Sequence, residues 1–123
     1  MPAPRKIESA NFTNQRALAD ACVVNDALTR VGARWKMQTL YAVQQGVATF
    51  AALKRGLPNV SDHVLATRLR ELVAEGLVDK LATSQRHHAY RVTPRGAALL
   101  EIIAALCDWE RAAPGLAAVP GDG

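Results

Sequence analysis

Residues 49–92, TFAALKRGLPNVSDHVLATRLRELVAEGLVDKLATSQRHHAYRV, hold the pattern that decides the fold. A short helix from Phe50 to Arg55 ends at Gly56, and Leu57-Pro58-Asn59-Val60 supplies a turn. A longer amphipathic helix runs from Ser61 to Glu75. Two strand-like runs follow, Leu77 to Thr83 and Ala89 to Val92, joined by the polar Ser84-Gln85-Arg86-His87-His88. Helix, tight turn, second helix and basic hairpin is the element order of a winged helix-turn-helix, in which the second helix enters the major groove of DNA. The expected fold class is mainly α with a small β-hairpin wing (α+β).

The second helix carries its own signals. The Ser61 hydroxyl is placed to accept a free amide of the first turn, and Asp62 complements the positive end of the dipole. Gly76 stands where a left-handed residue is wanted, with Leu77 set to touch Leu72 across a Schellman ending. On a wheel of about 100° per residue, Leu65, Leu69, Leu72 and Val73 share one face. His63, Thr67, Arg70 and Ala74 share the opposite one, flanked by Arg68 and Glu71. Polar, mildly basic and short at its middle, that second face suits approach to base edges and phosphates. An ordinary solvated face would have similar residues, but the preceding short helix and the basic hairpin favour recognition. The candidate DNA-binding residues are Ser61, His63, Thr67, Arg68 and Arg70 on the helix, with Arg86, His87 and His88 in the wing.

A chain of 123 residues is long enough to bury one core, and half of it is apolar with few aromatics, as a helix-rich protein would be. The longest apolar candidate, Ala97 to Trp109, is interrupted by Glu101 and Asp108 and does not read as a membrane span. No secretory signal is visible at Met1-Pro2-Ala3-Pro4-Arg5-Lys6, and two distant cysteines fit a reducing cytoplasm. The net charge of +4 is unevenly spread. Residues 1–95 hold fourteen of the fifteen Lys and Arg and only seven of the eleven acids, whereas residues 96–123 are net acidic. A basic front and an acidic rear suit a nucleic-acid-binding body with a separate assembly helix.

Residues 1–21 read as a partly flexible N-terminal arm, rich in Pro, Asn, Ser and Thr as far as Gln15. A short helix follows over Asn25–Val31, with Val24, Ala27, Leu28 and Val31 inward and Gly32 closing it. The next spans Trp35–Gln45, with Trp35, Leu40, Tyr41 (or Met37) and Val43 available for the core. Val47-Ala48-Thr49 is long enough for a brief strand against the wing, and Thr49 can cap the helix after it. Thr93-Pro94 gives a cap and a first-turn proline to a last helix over 93–113. The whole domain spans 22–113, and 114–123 reads as a disordered tail.

The last helix is apolar on too wide an arc for a lone surface helix. Leu99, Leu100, Ile102, Ile103, Leu106, Cys107 and Trp109 cover well over half its circumference. One part covers the body, and the rest, including Leu99, Ile103, Leu106 and Trp109, is expected to meet a second copy across a two-fold axis. A homodimer built on terminal helices would present paired reading helices to a pseudo-palindromic double-stranded operator.

Taken together, Cys22, Ala27-Leu28, Val31-Gly32-Ala33-Arg34-Trp35-Lys36, Phe50, Leu53, Leu57-Pro58, Val60-Ser61, Val64-Leu65, Arg68-Leu69-Arg70-Glu71-Leu72, Glu75-Gly76-Leu77-Val78, Tyr90 and Thr93-Pro94-Arg95-Gly96 resemble the HxlR-type winged-helix transcription regulators. The likeness runs from about Cys22 to Trp109. It implies a bacterial dimeric regulator whose N- and C-terminal helices form the interface, and many such regulators repress a nearby oxidoreductase or stress gene. Some members sense electrophiles, quinones or oxidants through a cysteine just before the first helix. Cys22 is the matching position, although Val23 follows it where the family commonly has proline. A thiol at a helix N-terminus gains from the free amides there, while Asp20 and Asp26 lie close in sequence and work against it. Cys22 therefore reads either as a redox-sensing residue or as a small packed hydrophobe. Cys107 reads as core or interface, and a Cys22–Cys107 bridge between subunits would require the terminal helices to meet.

His87-His88 has no cysteine beside it and only His63 elsewhere, so contact with phosphates or the minor groove is the simpler reading than a metal site. No nucleophile–base pair, phosphate loop or paired carboxylates suggest an enzyme or a cofactor. Glu71 and Glu75 are expected to form helix ion pairs with Arg68 and Arg70. Two other functions remain open: a regulator controlled by a non-covalent ligand at the dimer interface, and a winged-helix protein-interaction module without DNA binding.

Overall fold

Local caps and stops fix most of the element boundaries. The computed structural model describes residues 20–46, 48–83 and 87–114. The arm up to Ala19 and the tail from Gly115 lie outside those residues. The chain divides into two compact units, Met1–Arg34 and Trp35–Gly123.

The described part of the first unit is helix α1, Ala21–Gly32. It starts four residues earlier than the sequence pattern predicts, because the Asp20 carboxylate accepts the amides of Cys22 at 3.0 Å and Val23 at 3.2 Å. An aspartate cap of this kind satisfies two of the amides a helix start leaves free. No residue of α1 is buried. Of the four positions expected to face inward, Val24 and Val31 are half-buried, whereas Ala27 and Leu28 are exposed.

In the second unit, α2 spans Lys36–Gln44 and α3 spans Phe50–Gly56. Helix α4 covers Asp62–Ala74, the hairpin pairs β1 (Val78–Ala82) with β2 (His88–Val92), and α5 covers Pro94–Arg111. Thr49 caps α3 by accepting the Ala52 amide, and Ser61 caps α4 by accepting the Val64 amide. At the other end of α4 the Leu77 amide donates to the Leu72 carbonyl and the Gly76 amide to that of Val73. With Gly76 at φ +75°, this is the Schellman stop that its sequence implied.

The strands are antiparallel, in register Val78↔Val92 through Ala82↔His88. Of the brief strand expected at Val47-Ala48-Thr49, Val47 lies outside the described residues, and the other two form a bridge, Thr49↔Ala89, with the Tyr90 amide donating to Ala48. The wing is thus stitched to the segment that starts α3.

Leu40, Val43, Leu53, Val60, Leu65, Leu69, Leu72, Leu77, Val78 and Leu100 form the core, with Trp35, Met37, Phe50, Tyr90, Val92 and Leu99 packed around it. Tyr41, an alternative core candidate, is exposed instead. Two polar residues of α2 are buried in its place, Lys36 and Thr39. Gly96 is buried where a Cβ would stand 2.2 Å from the Leu77 carbonyl oxygen, so only glycine lets α5 lie this close to the start of the wing.

Candidate nucleic-acid interface

The three core leucines of α4 are spaced so that one side of the helix is consumed by packing. The opposite side presents a connected polar row. His63 and Arg70 are exposed and Thr67 half-buried between them. The Thr67 hydroxyl donates to the His63 carbonyl at 2.8 Å and accepts from Arg70 Nη2 at 3.1 Å. Arg70 is thereby steadied by one hydrogen bond, and a guanidinium has five donors. Those left over are available for a bidentate pair of acceptors such as a guanine edge.

The other sequence candidates separate by environment. Ser61 is exposed but spends its hydroxyl as the α4 cap. Arg68 is half-buried and forks onto Glu71, at 3.0 Å and 3.1 Å from the two carboxylate oxygens, so it braces the helix. Glu71 matches the expected helix ion pair. Glu75 reaches across to another helix: Lys36 Nζ donates to its Oε2 at 2.8 Å. Before α4, Lys54 Nζ donates to the Val60 carbonyl and lies 3.8 Å from Asp62, which closes the turn between the two helices.

In the wing, the Thr83 amide donates to the His87 carbonyl and extends the hairpin by one rung, and Arg86 lies outside the described residues. Alternation along β2 separates the histidine pair that the sequence groups together. His87 is exposed, whereas His88 is half-buried on the same side of the strand as Tyr90 and Val92, both packed against the core. His88 Nδ1 is buried with no hydrogen-bond partner among the described residues. Thr49, Phe50, Ala51, His87, His88 and Tyr90 line a cavity of about 360 Å³ at the root of the wing. Burial pushes the Tyr90 hydroxyl above its ordinary pKa.

On α5, Leu100 is buried, Leu99 packs against the core and Ile103 is half-buried. Leu106 and Trp109 are exposed, and so is Ile102 of the same apolar arc. Cys107, expected in a core or an interface, is exposed in the chain, as is Cys22 on α1. The amides that the sequence offers to the Cys22 thiol are already taken by Asp20. Among the described residues no three His, Cys, Asp or Glu side chains gather to hold a metal, and no helix is long and apolar enough to cross a membrane.

Comparison with known proteins agrees with this geometry. A model of the HxlR-like helix-turn-helix matches residues 30–114. The HTH-type transcriptional regulator YtfH of Escherichia coli K12 is 34% identical over 93 residues, which cover 74% of each chain. The solved structure of the HTH-type transcriptional regulator ytcD superposes with a TM-score of 0.65 at 29% identity, covering 71% of this chain and 91% of that one. The redox regulator HypR in its reduced form superposes with a TM-score of 0.64 at 28% identity, covering 72% and 89%. The capped α4, its Schellman stop and the stitched wing thus fall within a matched segment that spans most of the chain, and the protein belongs to the HxlR-like helix-turn-helix family of transcriptional regulators.

Proposed function

We propose that the protein is a homodimeric repressor that reads a pseudo-palindromic DNA operator through α4 and is released from it when Cys22 is modified. The observation that carries the reading is the row His63, Thr67 and Arg70, polar, hydrogen-bonded and facing away from the core. His87 at the wing, with Arg86 beside it in sequence, supplies phosphate or minor-groove contact. Dimerisation is supported by Ile102, Leu106 and Trp109 on α5 and by Val23 and Leu28 on α1, large apolar side chains left in water. A second copy that covers them fixes the distance between two reading helices, and operator half-sites must match that distance. The regulated gene is an oxidoreductase or stress gene near its own, as the family resemblance implies.

Exposure of the Cys22 thiol supports the switch, as does the likeness to a protein described as a redox regulator. The sulfur adds to an electron-poor ring carbon of a quinone, forming one C–S bond; the thiol proton goes to one ring oxygen and the hydrogen of the attacked carbon moves as a proton to the other, which leaves a thioether-substituted hydroquinone. The added ring sits in the first turn of α1 and alters how two copies meet. Because both reading helices must fit one duplex, a small change in spacing misaligns them together. A second reading, a non-covalent ligand, draws on the wing-root cavity between Phe50 and Tyr90. Its occupant would push on the wing directly.

The test is a gel-shift titration with a duplex that the wild-type protein enriches from a random-sequence pool. Each protein is titrated with and without a quinone, and both cysteines are mapped by mass spectrometry. Quinone should weaken the wild-type complex and spare Cys22→Ser, while Cys107→Ser stays responsive. Parallel loss in Cys22→Ser would remove Cys22 as the sensor.

A further inference from the structure

Three features at the start of α2 converge on one point. Trp35 holds φ +72°, a left-handed conformation that a bulky side chain adopts only under constraint. Lys36, the first residue of α2, is 2% exposed, although an ammonium is costly both in the interior and at the positive end of a helix. Thr39, also buried, donates its hydroxyl to the Trp35 carbonyl at 2.7 Å and holds the turn in place. The result aims Lys36 Nζ at the far end of α4. It lies 2.8 Å from Glu75 Oε2 and 3.8 Å from Glu71 Oε1.

Glu75 is where three other elements meet. Its backbone carbonyl accepts from Arg95 Nε of α5 at 3.3 Å. The next carbonyl, that of Gly76, accepts from the Thr93 hydroxyl at 2.6 Å. Leu77 then leads into β1 after closing the Schellman stop. The end of the reading helix, the start of the wing and the start of α5 are therefore fastened at Glu75-Gly76, and Lys36 ties that junction to α2. Packing alone leaves a helix some freedom to slide or rotate on an apolar surface. A directional charged hydrogen bond at one end removes it. A single-residue slip moves α4 by about 1.5 Å along its axis, which is enough to spoil a bidentate contact from Arg70 to a base.

We propose that Lys36 is a positioning residue for DNA reading, its ion pair with Glu75 setting the place of α4 relative to the wing. This rests on the reading of α4 as the recognition helix. Lys36 is buried and Glu75 half-buried, and a largely desolvated ion pair replaced by well-packed apolar residues is often neutral for stability, so the double variant Lys36→Met/Glu75→Leu separates positioning from folding. The probe is the duplex enriched by the wild-type protein, measured against a random duplex across a salt series, with Arg70→Ala in parallel. The double variant should keep its helicity and its salt slope, while its preference for the selected duplex falls at least tenfold. If its preference stays within twofold of wild type while that of Arg70→Ala collapses, the positioning role is overturned and the recognition helix stands. A slope reduced by about one would place Lys36 on a phosphate and also overturn it. If both variants keep their preference, the reading of α4 fails and takes this proposal with it. Should the double variant unfold, Glu75→Gln, which keeps the side-chain shape and removes the charge, carries the same measurement.

Discussion

Trp109→Ala tests the dimer at the point where the apolar surface is most open. Trp109 is 70% exposed in the isolated chain and lies in the outer half of α5, beyond the packed Leu100. A tryptophan presents at most about 250 Å², so a partner has roughly 170 Å² of this one to cover. At about 25 cal/mol per Å² that is on the order of 4 kcal/mol per ring, an upper bound. Two-fold symmetry counts the ring twice. Even if only half of each ring is covered, the pair contributes about 4 kcal/mol, and its loss weakens the dimer roughly 10³-fold. Light scattering on a sizing column, run from micromolar protein downward, reads this as a shift from dimer to monomer. Operator binding becomes steeply dependent on protein concentration. Because Trp109 takes no part in the core, far-UV circular dichroism should still show a folded chain. A folded Trp109→Ala protein that remains dimeric at every concentration where the wild type does would refute the reasoning and move the interface elsewhere.

Thr67→Ala and Arg70→Ala should each reduce the preference for operator over random DNA, by roughly 1–3 kcal/mol where a bidentate base contact is lost; competition gel shifts measure it, and unchanged preference in Arg70→Ala would discard the assigned row. Gly96→Ala drives a methyl group into the Leu77 carbonyl, and overpacking of this kind costs about 1–3 kcal/mol or more, a Tm lower by on the order of 5–20 °C in calorimetry. An unchanged Tm would mean that α5 is free to lift from the wing. For Tyr90, burial raises the folded pKa above the ordinary value of about 10. Well below that value both states keep the proton, and above it the unfolded chain ionises first, so stability falls as pH rises. Urea titrations at about pH 9 and about pH 11 should show a smaller loss in Tyr90→Phe than in the wild type, and an equal loss would assign the alkaline sensitivity to another group.

The fold was legible wherever an element is set by its own neighbours. Ser61, Gly76 and Thr93-Pro94 announce a cap, a stop and a start within a few residues of chain, and the structure honours each of them. The period of Leu65, Leu69 and Leu72 names the buried face of α4, and by subtraction the exposed one. Helix α1 begins ahead of its hydrophobic pattern because Asp20, which in sequence is only an unfavourable neighbour of Cys22, caps it by accepting two amides. Tyr41 and Lys36 exchange the environments that hydropathy assigns them, since an amphipathic pattern ranks side chains by their own chemistry and cannot see a partner that reverses the cost.

The candidate site divides along the same line. His63, Thr67 and Arg70 follow from one helix wheel, because their role depends only on facing away from the core. Arg68 and Glu71 sit three residues apart, and the wheel reaches them as well. Glu75 cannot be placed that way, because its partner is 39 residues earlier on a different helix. His88 differs from His87 only by strand parity, and parity is unknown until the register of β2 is fixed by its bridge to Thr49. Contacts to DNA belong to surfaces, and surfaces are readable from period. The placing of those surfaces belongs to buried charges and tight glycines, which a linear pattern codes as exceptions. A substitution scan confined to exposed positions of α4 would recover the contacts and miss their supports, whereas one that includes Lys36 and Gly96 separates loss of contact from loss of placement.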